Sequence, residues 1–277
     1  MRTVIGFEMA ANRFLFLGFG GVVSLIVTLL PAIVFAAIIG AWEAWVRIAE
    51  VKRYLLPAPT EIGQALWEDR GLLWGQFRVT AGEILLGVTA AIALGLACAV
   101  AIHLSGLLRR AAYPLLVASQ TVPIVIVAPL LVAWLGYDLL PKLAIVALVC
   151  FFPVTVAALD GLAAVEPEQR TLMRSLHASR WQALRFVELP AAVPAVFTGA
   201  RIAVVVAVVG AVLAEQAGSS EGLGHLITQA IPQFETAQAY AAVAVLSAFA
   251  ILLFAAITAL ERALLPWAAG PRQGPAT

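Results

Sequence analysis

Charge is scarce in this sequence. Of its 277 residues, 12% are charged and 62% are hydrophobic, and the mean hydropathy is +0.98. In soluble domains about a quarter of all residues are charged and about 45–50% are apolar, so this composition excludes the soluble globular class. The net charge of +1 gives no reason to expect binding to nucleic acid or to an acidic substrate. We therefore expect an integral membrane protein.

The residues that build common catalytic and metal sites are also few. Lysine occurs twice, at Lys52 and Lys142, and neither follows a glycine-rich loop, so the P-loop pattern G-x-x-x-x-G-K-[ST] is missing. The three histidines, His103, His177 and His225, show no metal-ligand spacing. No nucleophile elbow is present either. The sequence predicts no catalytic residue, no metal site and no cofactor in this chain.

Cysteine is nearly absent as well. Cys98 and Cys150 both lie in apolar stretches. A disulfide framework needs more cysteines in an exposed setting, whereas a free cysteine inside a protein behaves as a small hydrophobic residue. We expect both to be buried thiols.

Long uncharged stretches locate the membrane spans. About 20 apolar residues in a helix cross a hydrocarbon core of about 30 Å, and the first stretch is too long for a signal-peptide core of about 7–15 residues. The six predicted spans are Phe14–Trp42 (bent at Pro31), Ile84–Ile102, Ala111–Tyr137, Leu143–Leu159, Pro194–Ala214 and Thr236–Leu260. We expect an all-α, polytopic membrane protein with six transmembrane helices. It would form a single transmembrane domain over 1–277, with a first helix over 14–46 and a core over 79–265.

The basic residues predict the orientation. Arg201 falls inside the fifth span, and we interpret it as a side chain that reaches the interface from near a helix end. If both termini are cytoplasmic, eleven of the 17 basic residues lie on the cytoplasmic side or at its edge, which agrees with the positive-inside rule. The eleven are Arg2, Arg13, Arg109, Arg110, Arg170, Arg174, Arg180, Arg185, Arg201, Arg262 and Arg272. We therefore expect residues 160–201 to form a cytoplasmic loop.

This loop has the pattern of two short amphipathic helices. Pro167 suits the first position of a helix, and Leu172 and Leu176 lie on one apolar face. Ser179 and Gln182 form a capping-box pattern that begins a second helix, which we expect to end at Leu189-Pro190. Helices this short are marginal in water and need a packing partner. The loop is therefore predicted to dock on the protein's own membrane helices and on a second protein.

At these residues the chain resembles a known family, the permeases of ABC importers. Their cytoplasmic signature is E-A-A-x3-G-x9-I-x-L-P. Here Thr171-Leu172-Met173 stands at E-A-A, His177 at the glycine, Val187 at the isoleucine and Leu189-Pro190 at the closing pair. Thr171 and His177 depart from the pattern. The run R-S-L-x-A-S-R-W at 174–181 is similar to the branch that handles sulfonates, taurine, nitrate and thiamine-precursor pyrimidines.

Other motifs extend the resemblance over residues 40 to 265. They are Leu56-Pro57-x-Pro59-Thr60, Gln120-Thr121-Val122-Pro123, Ala128-Pro129-Leu130, Leu135-Gly136-Tyr137 and Gly222-Leu223-Gly224. The resemblance implies a type I importer fold, with the loop at 160–201 coupling transport to a separate ATPase. The coupling residues it implies are Leu172, Met173, Arg174, Ser175, Leu176, His177, Ala178, Ser179, Arg180 and Trp181.

The resemblance also implies partners. They are ABC ATPase subunits that bind ATP and Mg²⁺, a periplasmic or lipid-anchored solute-binding protein, and a second permease copy in a homodimer. The implied location is the bacterial cytoplasmic (inner) membrane, with several spans and both termini in the cytoplasm. At His177 two interpretations stay open: a turn residue in a left-handed conformation, and a pH-sensitive contact with the ATPase.

Polar residues inside membrane helices usually face the interior of a bundle, and they suggest the translocation path. The tentative path residues are Gln120, Thr121, Trp134, Tyr137, Glu215 and Gln216. With no intramembrane arginine cluster, the preferred solute is a small heteroaromatic such as a thiamine-precursor pyrimidine. A sulfonate, taurine or nitrate-type anion is the alternative. A different ATP-driven uptake system, a secondary transporter and a membrane-embedded enzyme remain further alternatives.

Overall fold

The structure is a computed structural model that describes residues 30–266, and the termini outside this range are left aside. The described residues group into two compact units, one ending at Gln64 and one beginning at Ala65. The helices are α1 (Leu30–Ile48), α2 (Pro59–Glu68), α3 (Arg70–Leu104), α4 (Gly106–Ser119), α5 (Ile124–Leu135), α6 (Leu139–Ala163), α7 (Pro167–Ser175), α8 (Arg180–Ala183), α9 (Leu189–Gly218), α10 (Leu223–Ala230) and α11 (Thr236–Leu264). No strand occurs between residues 30 and 266, which confirms the all-α class.

The first unit contains α1 and the segment that leads into α2. The predicted span over 14–46 is described only from Leu30, and its earlier residues lie outside the described part. Glu43 of α1 pairs with Arg47 one turn on, at 2.5 Å. It also accepts hydrogen bonds from the backbone N–H and the hydroxyl of Thr60, at 3.0 and 2.9 Å. These contacts connect α1 to the start of α2 within this unit.

The core of the second unit is formed by α3, α6 and α9. Their contact surfaces are rich in small residues, as expected where membrane helices approach closely. A Cβ added to Gly87 of α3 would lie 2.6 Å from Cβ of Val146, and one added to Gly199 of α9 would lie 3.0 Å from the carbonyl oxygen of Pro153. These two glycines therefore set the spacing of α6 from both of its neighbours.

The cysteines belong to these core helices. Both thiols are free, and Cys150 is buried while Cys98 is half-buried. The Cys150 thiol donates a hydrogen bond to the carbonyl oxygen of Ala203, at 3.2 Å. The expected burial is confirmed for Cys150 and holds only partly for Cys98.

The third predicted span is not one helix. The stretch Ala111–Tyr137 divides into α4 and α5, whose axes differ in direction by 99°. Pro123 precedes α5 and cannot donate a backbone hydrogen bond, and a proline disfavours helical geometry in the residue before it. The described residues therefore contain five helices long and apolar enough to cross a membrane, and six spans if the α4–α5 pair counts as one.

The predicted end of the second loop helix at Leu189-Pro190 is wrong. A π-helical turn over Leu184–Glu188 connects α8 to α9, and the helical run Arg180–Gly218 extends over 39 residues. The N–H of Leu189 bonds to the carbonyl of Leu184 through this wider turn. Pro190 is the second residue of α9 and follows this wider turn directly, so the helical run continues past a residue that cannot donate a backbone hydrogen bond.

Candidate functional site

The loop between α6 and α9 contains the turn that the sequence predicts. After α7, His177 adopts a left-handed conformation with φ of 52°. The N–H of His177 bonds to Arg174 and the N–H of Ala178 bonds to Met173, at 2.9 and 3.0 Å. This geometry satisfies carbonyls at the end of α7. It confirms the interpretation of His177 as a left-handed turn residue.

The predicted capping box begins α8. The Ser179 hydroxyl accepts a hydrogen bond from the Gln182 N–H at 3.3 Å, and the Gln182 side chain accepts one from the Ser179 N–H at 2.8 Å. Two backbone donors are satisfied reciprocally, so the chain turns sharply and resumes helical geometry within a few residues. On α7, the Ser175 hydroxyl donates to the carbonyl of Thr171.

The apolar residues of this loop are exposed. Leu176 is 67% exposed, and Leu172 and Trp181 are 59% exposed. Phe186, which the sequence interpretation missed, is 66% exposed and lies one helical turn beyond Gln182. These four residues lie on α7 and on the segment that follows it as far as the π-helical turn. We call Leu172, Leu176, Trp181 and Phe186 the α7 apolar surface. The opposite face of α7, with Met173 and Arg174, lines a cavity of about 530 Å³ to which Ala178 and Arg180 also contribute.

A charged network, also missed from the sequence, supports this loop. Glu188 in the π-helical turn lies 3.0 Å from His103 Nε2, at the end of α3, and 3.8 Å from Arg170 Nε on α7. Arg170 also donates to the carbonyls of Leu162 and Ala163 in the last turn of α6, at 3.1 and 3.2 Å. The network thereby connects α3, α6 and α7 to the start of α9. An acidic residue at the edge of an apolar segment is the sequence signal that could have indicated it.

Arg201 has an ion-pair partner that the sequence interpretation did not identify. Its guanidinium lies 2.5 Å from the Glu261 carboxylate of α11 and donates to the Thr198 hydroxyl at 3.0 Å. The side chain is therefore half-buried and paired with a residue of another helix, and its reach to the membrane interface stays a prediction. A partner on a distant helix neutralises this charge.

The uncharged path candidates share the broken third span. Gln120 and Thr121 form the break between α4 and α5, and both are exposed. Trp134 and Tyr137 lie at the other end of α5, each 76% exposed. A Cβ on Gly218 of α9 would come within 3.0 Å of the Tyr137 ring, so this ring packs against the α9 backbone.

Glu215 belongs to a different environment from these residues. It is 1% exposed, and its two carboxylate oxygens accept hydrogen bonds from the Thr80 hydroxyl at 2.6 Å and from the Gly224 N–H at 2.5 Å. In this conformation the carboxylate fixes the start of α10 to α3 and α9, and it is not open to an aqueous path. Its neighbour Gln216 is exposed.

Further contacts complete this second polar cluster. The Thr80 hydroxyl accepts from the Leu223 N–H at 2.8 Å, and the Gln76 side chain accepts from the Gly222 N–H at 2.5 Å. Gly222 has φ of 109°, and a Cβ there would overlap the Glu215 carboxylate. Glycine is therefore required at this position both for its conformation and for the space it leaves.

A buried ion pair lies beside the Glu215 carboxylate. Lys142 Nζ of α6 donates to Glu83 Oε1 of α3 at 2.8 Å, and both side chains are buried. Because the carboxyl groups of Glu83 and Glu215 adjoin each other, this lysine offsets the repulsion between them. We call Gln76, Thr80, Glu83, Lys142, Glu215, Gly222, Leu223 and Gly224 the α10 polar cluster.

Comparison with known proteins supports one family. Residues 91–269 match the family model described as "Binding-protein-dependent transport system inner membrane component". The chain is 36% identical over 238 residues to the formylaminopyrimidine transport permease protein ThiX of Halalkalibacterium halodurans, covering 86% of this chain and 95% of that one. It is 33% identical to the riboflavin transport system permease protein RibX of Chloroflexus aurantiacus, covering 88% and 89%. It is 30% identical to the taurine transport system permease protein TauC of Escherichia coli, covering 84% and 87%.

A solved structure shows the same fold. The crystal structure of an amino acid ABC transporter with histidines has a chain that superposes with a TM-score of 0.56 at 17% identity, covering 73% of this chain and 96% of that one. The predicted family and the all-α polytopic fold are both confirmed. The chain is a multi-pass membrane permease subunit, and ATP hydrolysis occurs in a separate ATPase subunit. On this combined sequence and structural similarity, the protein belongs to the family of binding-protein-dependent transport system inner membrane components.

Proposed function

We propose that this permease imports a small, neutral, planar nutrient, a thiamine-precursor pyrimidine or a related heteroaromatic. The observation that carries the proposal is the break between α4 and α5. Residues 111–137 contain no charged side chain, and the break exposes the amide of Gln120 and the hydroxyl-bearing Thr121. Interrupted membrane helices commonly form substrate sites, because the interruption frees backbone polar groups near the middle of the bilayer.

The chemistry of these residues suits an uncharged aromatic solute. An amide can both donate and accept hydrogen bonds, as the ring nitrogens and amino groups of a pyrimidine require. Exposed Trp134 and Tyr137 offer faces on which a planar ring can stack. The similarity to permeases named for formylaminopyrimidine and riboflavin, both of them heteroaromatic, supports this class.

The α7 apolar surface is proposed to dock on the ATPase that binds ATP and Mg²⁺. Four large apolar side chains at one end of the second unit are exposed beside the left-handed turn at His177. Exposed apolar groups of this kind mark interaction sites. The remaining members of the predicted coupling segment, from Met173 to Arg180, would position these anchors and form the rim of the contact.

The proposed assembly contains two copies of this chain, two ATPase subunits and one solute-binding protein. One chain offers a broken, exposed third span and cannot enclose a path alone, so a second copy would supply the other wall. The α7 end and both termini would face the cytoplasm, as the basic residues predict. The binding protein would deliver the solute at the opposite side of the membrane.

A sulfonate, taurine or nitrate-type anion is the second candidate. It is favoured by the 30% identity to a taurine permease and by 31% identity to an aliphatic sulfonate permease of Bacillus subtilis. An anion, however, would be expected to meet fixed positive charge on its path. The broken span carries none, so the heteroaromatic solute is preferred.

ATP-driven uptake into proteoliposomes tests the proposal. The permease, its ATPase and its binding protein would be reconstituted together, with labelled aminopyrimidine, taurine and nitrate offered separately. We expect ATP-dependent uptake of the pyrimidine only. Gln120→Leu should reduce that uptake at least tenfold, whereas Gln229→Leu, which removes an exposed amide from α10, should leave it unchanged. Uptake of taurine or nitrate without uptake of the pyrimidine would refute the heteroaromatic assignment.

A further inference from the structure

The cavity beside α7 has an unusual wall. It measures about 530 Å³ and lies where the ends of α3 and α4 meet α7 and α8. Four arginines line it, together with one carboxylate and one histidine: Arg109, Arg170, Arg174, Arg180, Glu188 and His103. Ligand pockets in proteins measure about 300–1,000 Å³, so this one is large enough for a small molecule or a lipid headgroup.

The positive charge of this cavity is only partly compensated. The one carboxylate on its wall, Glu188, is already engaged by His103 and Arg170. Within residues 30–266, the guanidinium groups of Arg109, Arg174 and Arg180 form no ion pair and no side-chain hydrogen bond. Three guanidinium groups therefore line one space without an ion-pair partner in the described residues, although Arg109 also shares a neighbouring cavity with Asp160.

An unsatisfied donor adds to this excess. The Nε of Arg170 is buried and lies 3.8 Å from Glu188 Oε1, which is too far for a hydrogen bond, and it forms no hydrogen bond elsewhere in the described part of the chain. Buried donors in proteins are nearly always paired, with protein, water or a ligand. The wall of the cavity thus combines three guanidinium groups without an ion-pair partner in the described residues and a buried N–H group that forms no hydrogen bond.

Guanidinium groups bind one class of anion especially well. Their planar pair of N–H groups matches two oxygens of a phosphate, which makes arginine the preferred residue for phosphate recognition. Basic pockets between membrane helices near the bilayer surface bind anionic lipid headgroups by the same chemistry. A carboxylate ligand would use these donors too, but a phosphate can engage several arginines at once.

We propose that this cavity binds a phosphate group, carried by an anionic phospholipid headgroup or by a soluble phosphate. The ligand would connect Arg109 of α4 to Arg174 of α7 and Arg180 of α8. Helix α4 is the first half of the broken third span, and α7 carries part of the α7 apolar surface. A bound phosphate would therefore hold α4 and α7 together. The site is independent of which solute the permease transports.

Two probes distinguish the sources of the phosphate. The full-length chain is purified in a neutral detergent, and its thermal midpoint is measured in inorganic phosphate and in chloride at equal ionic strength. In parallel, native mass spectrometry counts retained lipid after exposure to phosphatidylglycerol or to phosphatidylcholine. A midpoint raised by phosphate supports a soluble ligand, and selective retention of phosphatidylglycerol supports a headgroup.

Variants locate the binding. Arg174→Gln combined with Arg180→Gln should weaken binding of whichever probe the wild-type chain binds, by at least tenfold. Arg109→Gln, on a different helix, should weaken that binding severalfold. Arg110→Gln is the matched control, since Arg110 follows Arg109 but does not line the cavity. The Arg174→Lys and Arg180→Lys pair should restore part of the affinity, because it keeps the charge and loses the paired N–H groups.

Three results would overturn the proposal. The first is that neither probe binds the wild-type chain. The second is that Arg110→Gln weakens binding as much as the double variant does, which would indicate general surface charge. The third is that the double variant loses its ATPase subunit while its binding of both probes is unchanged, which would assign these arginines to an acidic protein surface.

Discussion

The two ends of the second unit differ in how far the chain satisfies its own polar and apolar groups. At the α10 end, the buried Glu215 and Thr80 accept hydrogen bonds from the start of α10, and the buried Lys142–Glu83 pair lies beside them. At the α7 end, large apolar side chains are exposed, and the guanidinium groups of three arginines have no ion-pair partner in the described residues. Along α3 the two regions, marked by Thr80 and His103, are separated by about 35 Å at 1.5 Å per residue.

This difference indicates where the chain needs other molecules. A buried carboxylate is tolerated only when donors surround it, and the α10 polar cluster provides nearly all of them from within one chain. The α7 end instead leaves apolar area and charge available for partners, as interaction surfaces do. We therefore expect mutations at the α10 end to lower the stability of the chain. Mutations at the α7 end should instead weaken assembly with partners and reduce transport activity.

The largest effect is expected for Lys142→Met at the α10 end. The change leaves the buried carboxylates of Glu83 and Glu215 side by side without a cation, and breaking a buried pair in this way costs about 3–5 kcal/mol. The thermal midpoint of the purified chain should fall sharply. Lys52→Met removes the only other lysine, which is exposed, and should have little effect.

A double variant sharpens this expectation. Combining Lys142→Met with Glu83→Leu removes both partners, so it should recover part of the stability that the single change loses. Equal losses in the single and double variants would show that the ion pair does not stabilise this end.

The second effect concerns the α7 end. Leu176→Asp should abolish ATP-driven transport, because losing an apolar anchor from an interface costs about 2 kcal/mol or more, which weakens binding about thirtyfold. Transport and solute-stimulated ATPase activity would be measured at equal membrane abundance, with an unchanged thermal midpoint for the isolated permease.

Thr171→Asp is the matched control for this variant. It places the same charge on the same helix, at the position where the family signature has an acidic residue, and should retain transport. If Leu176→Asp transports normally, the α7 apolar surface does not dock on the ATPase. If instead it unfolds the isolated chain, the contrast between the two ends is incorrect.

The third effect is expected for Gly222→Ala at the α10 end. A side chain at φ of 109° is strained by about 1–3 kcal/mol, and its Cβ would overlap the Glu215 carboxylate. The midpoint should fall and α10 should exchange its amide hydrogens faster. Gly82→Ala on α3 has open space around its Cβ and should be neutral or slightly stabilising. Equal midpoints for the two variants would refute the packing role of Gly222.

The smallest effect concerns the turn at His177. The left-handed conformation of this residue costs a non-glycine residue about 1–2 kcal/mol. Glycine avoids this cost, but it loses more backbone entropy on folding, which cancels part of the gain in stability. His177→Gly should therefore raise stability by less than about 1 kcal/mol, and His177→Val should lower it. His177→Asn should be nearly neutral, since asparagine tolerates this region. A stabilising valine would mean that the turn is not held in this conformation.

Several features of this molecule were predictable because they are local. The capping box at Ser179 and Gln182, the turn at His177 and the apolar stripe on α7 depend on residues within one or two turns of each other. Most of the membrane spans were predictable for a related reason, since the length and composition of a segment decide whether it crosses a bilayer, although the third predicted span is broken into α4 and α5. Family membership followed from motifs that are contiguous in sequence.

The pairings of charged residues were not predictable, because each joins distant parts of the chain. Arg201 and Glu261 are 60 residues apart, and Lys142 and Glu83 are 59 apart. Glu215 suggested a path residue because it lies in an apolar segment, and only the packing of α3 and α10 around it revealed a buried acceptor. The end of the α8 segment was misjudged because a π-helical turn, not visible in the residue pattern, carries the helix past Pro190.

The sequence by itself determined the class of this protein, its helical segments and its family, because hydropathy and short-range motifs are properties of contiguous residues. Tertiary structure alone decided which charges are neutralised inside the chain and which are left open. The sequence shows the same charged residue whether its side chain is buried beside a partner or lines a cavity. The free energy of these two arrangements differs because desolvation and pairing depend on what the fold brings within about 4 Å of the group.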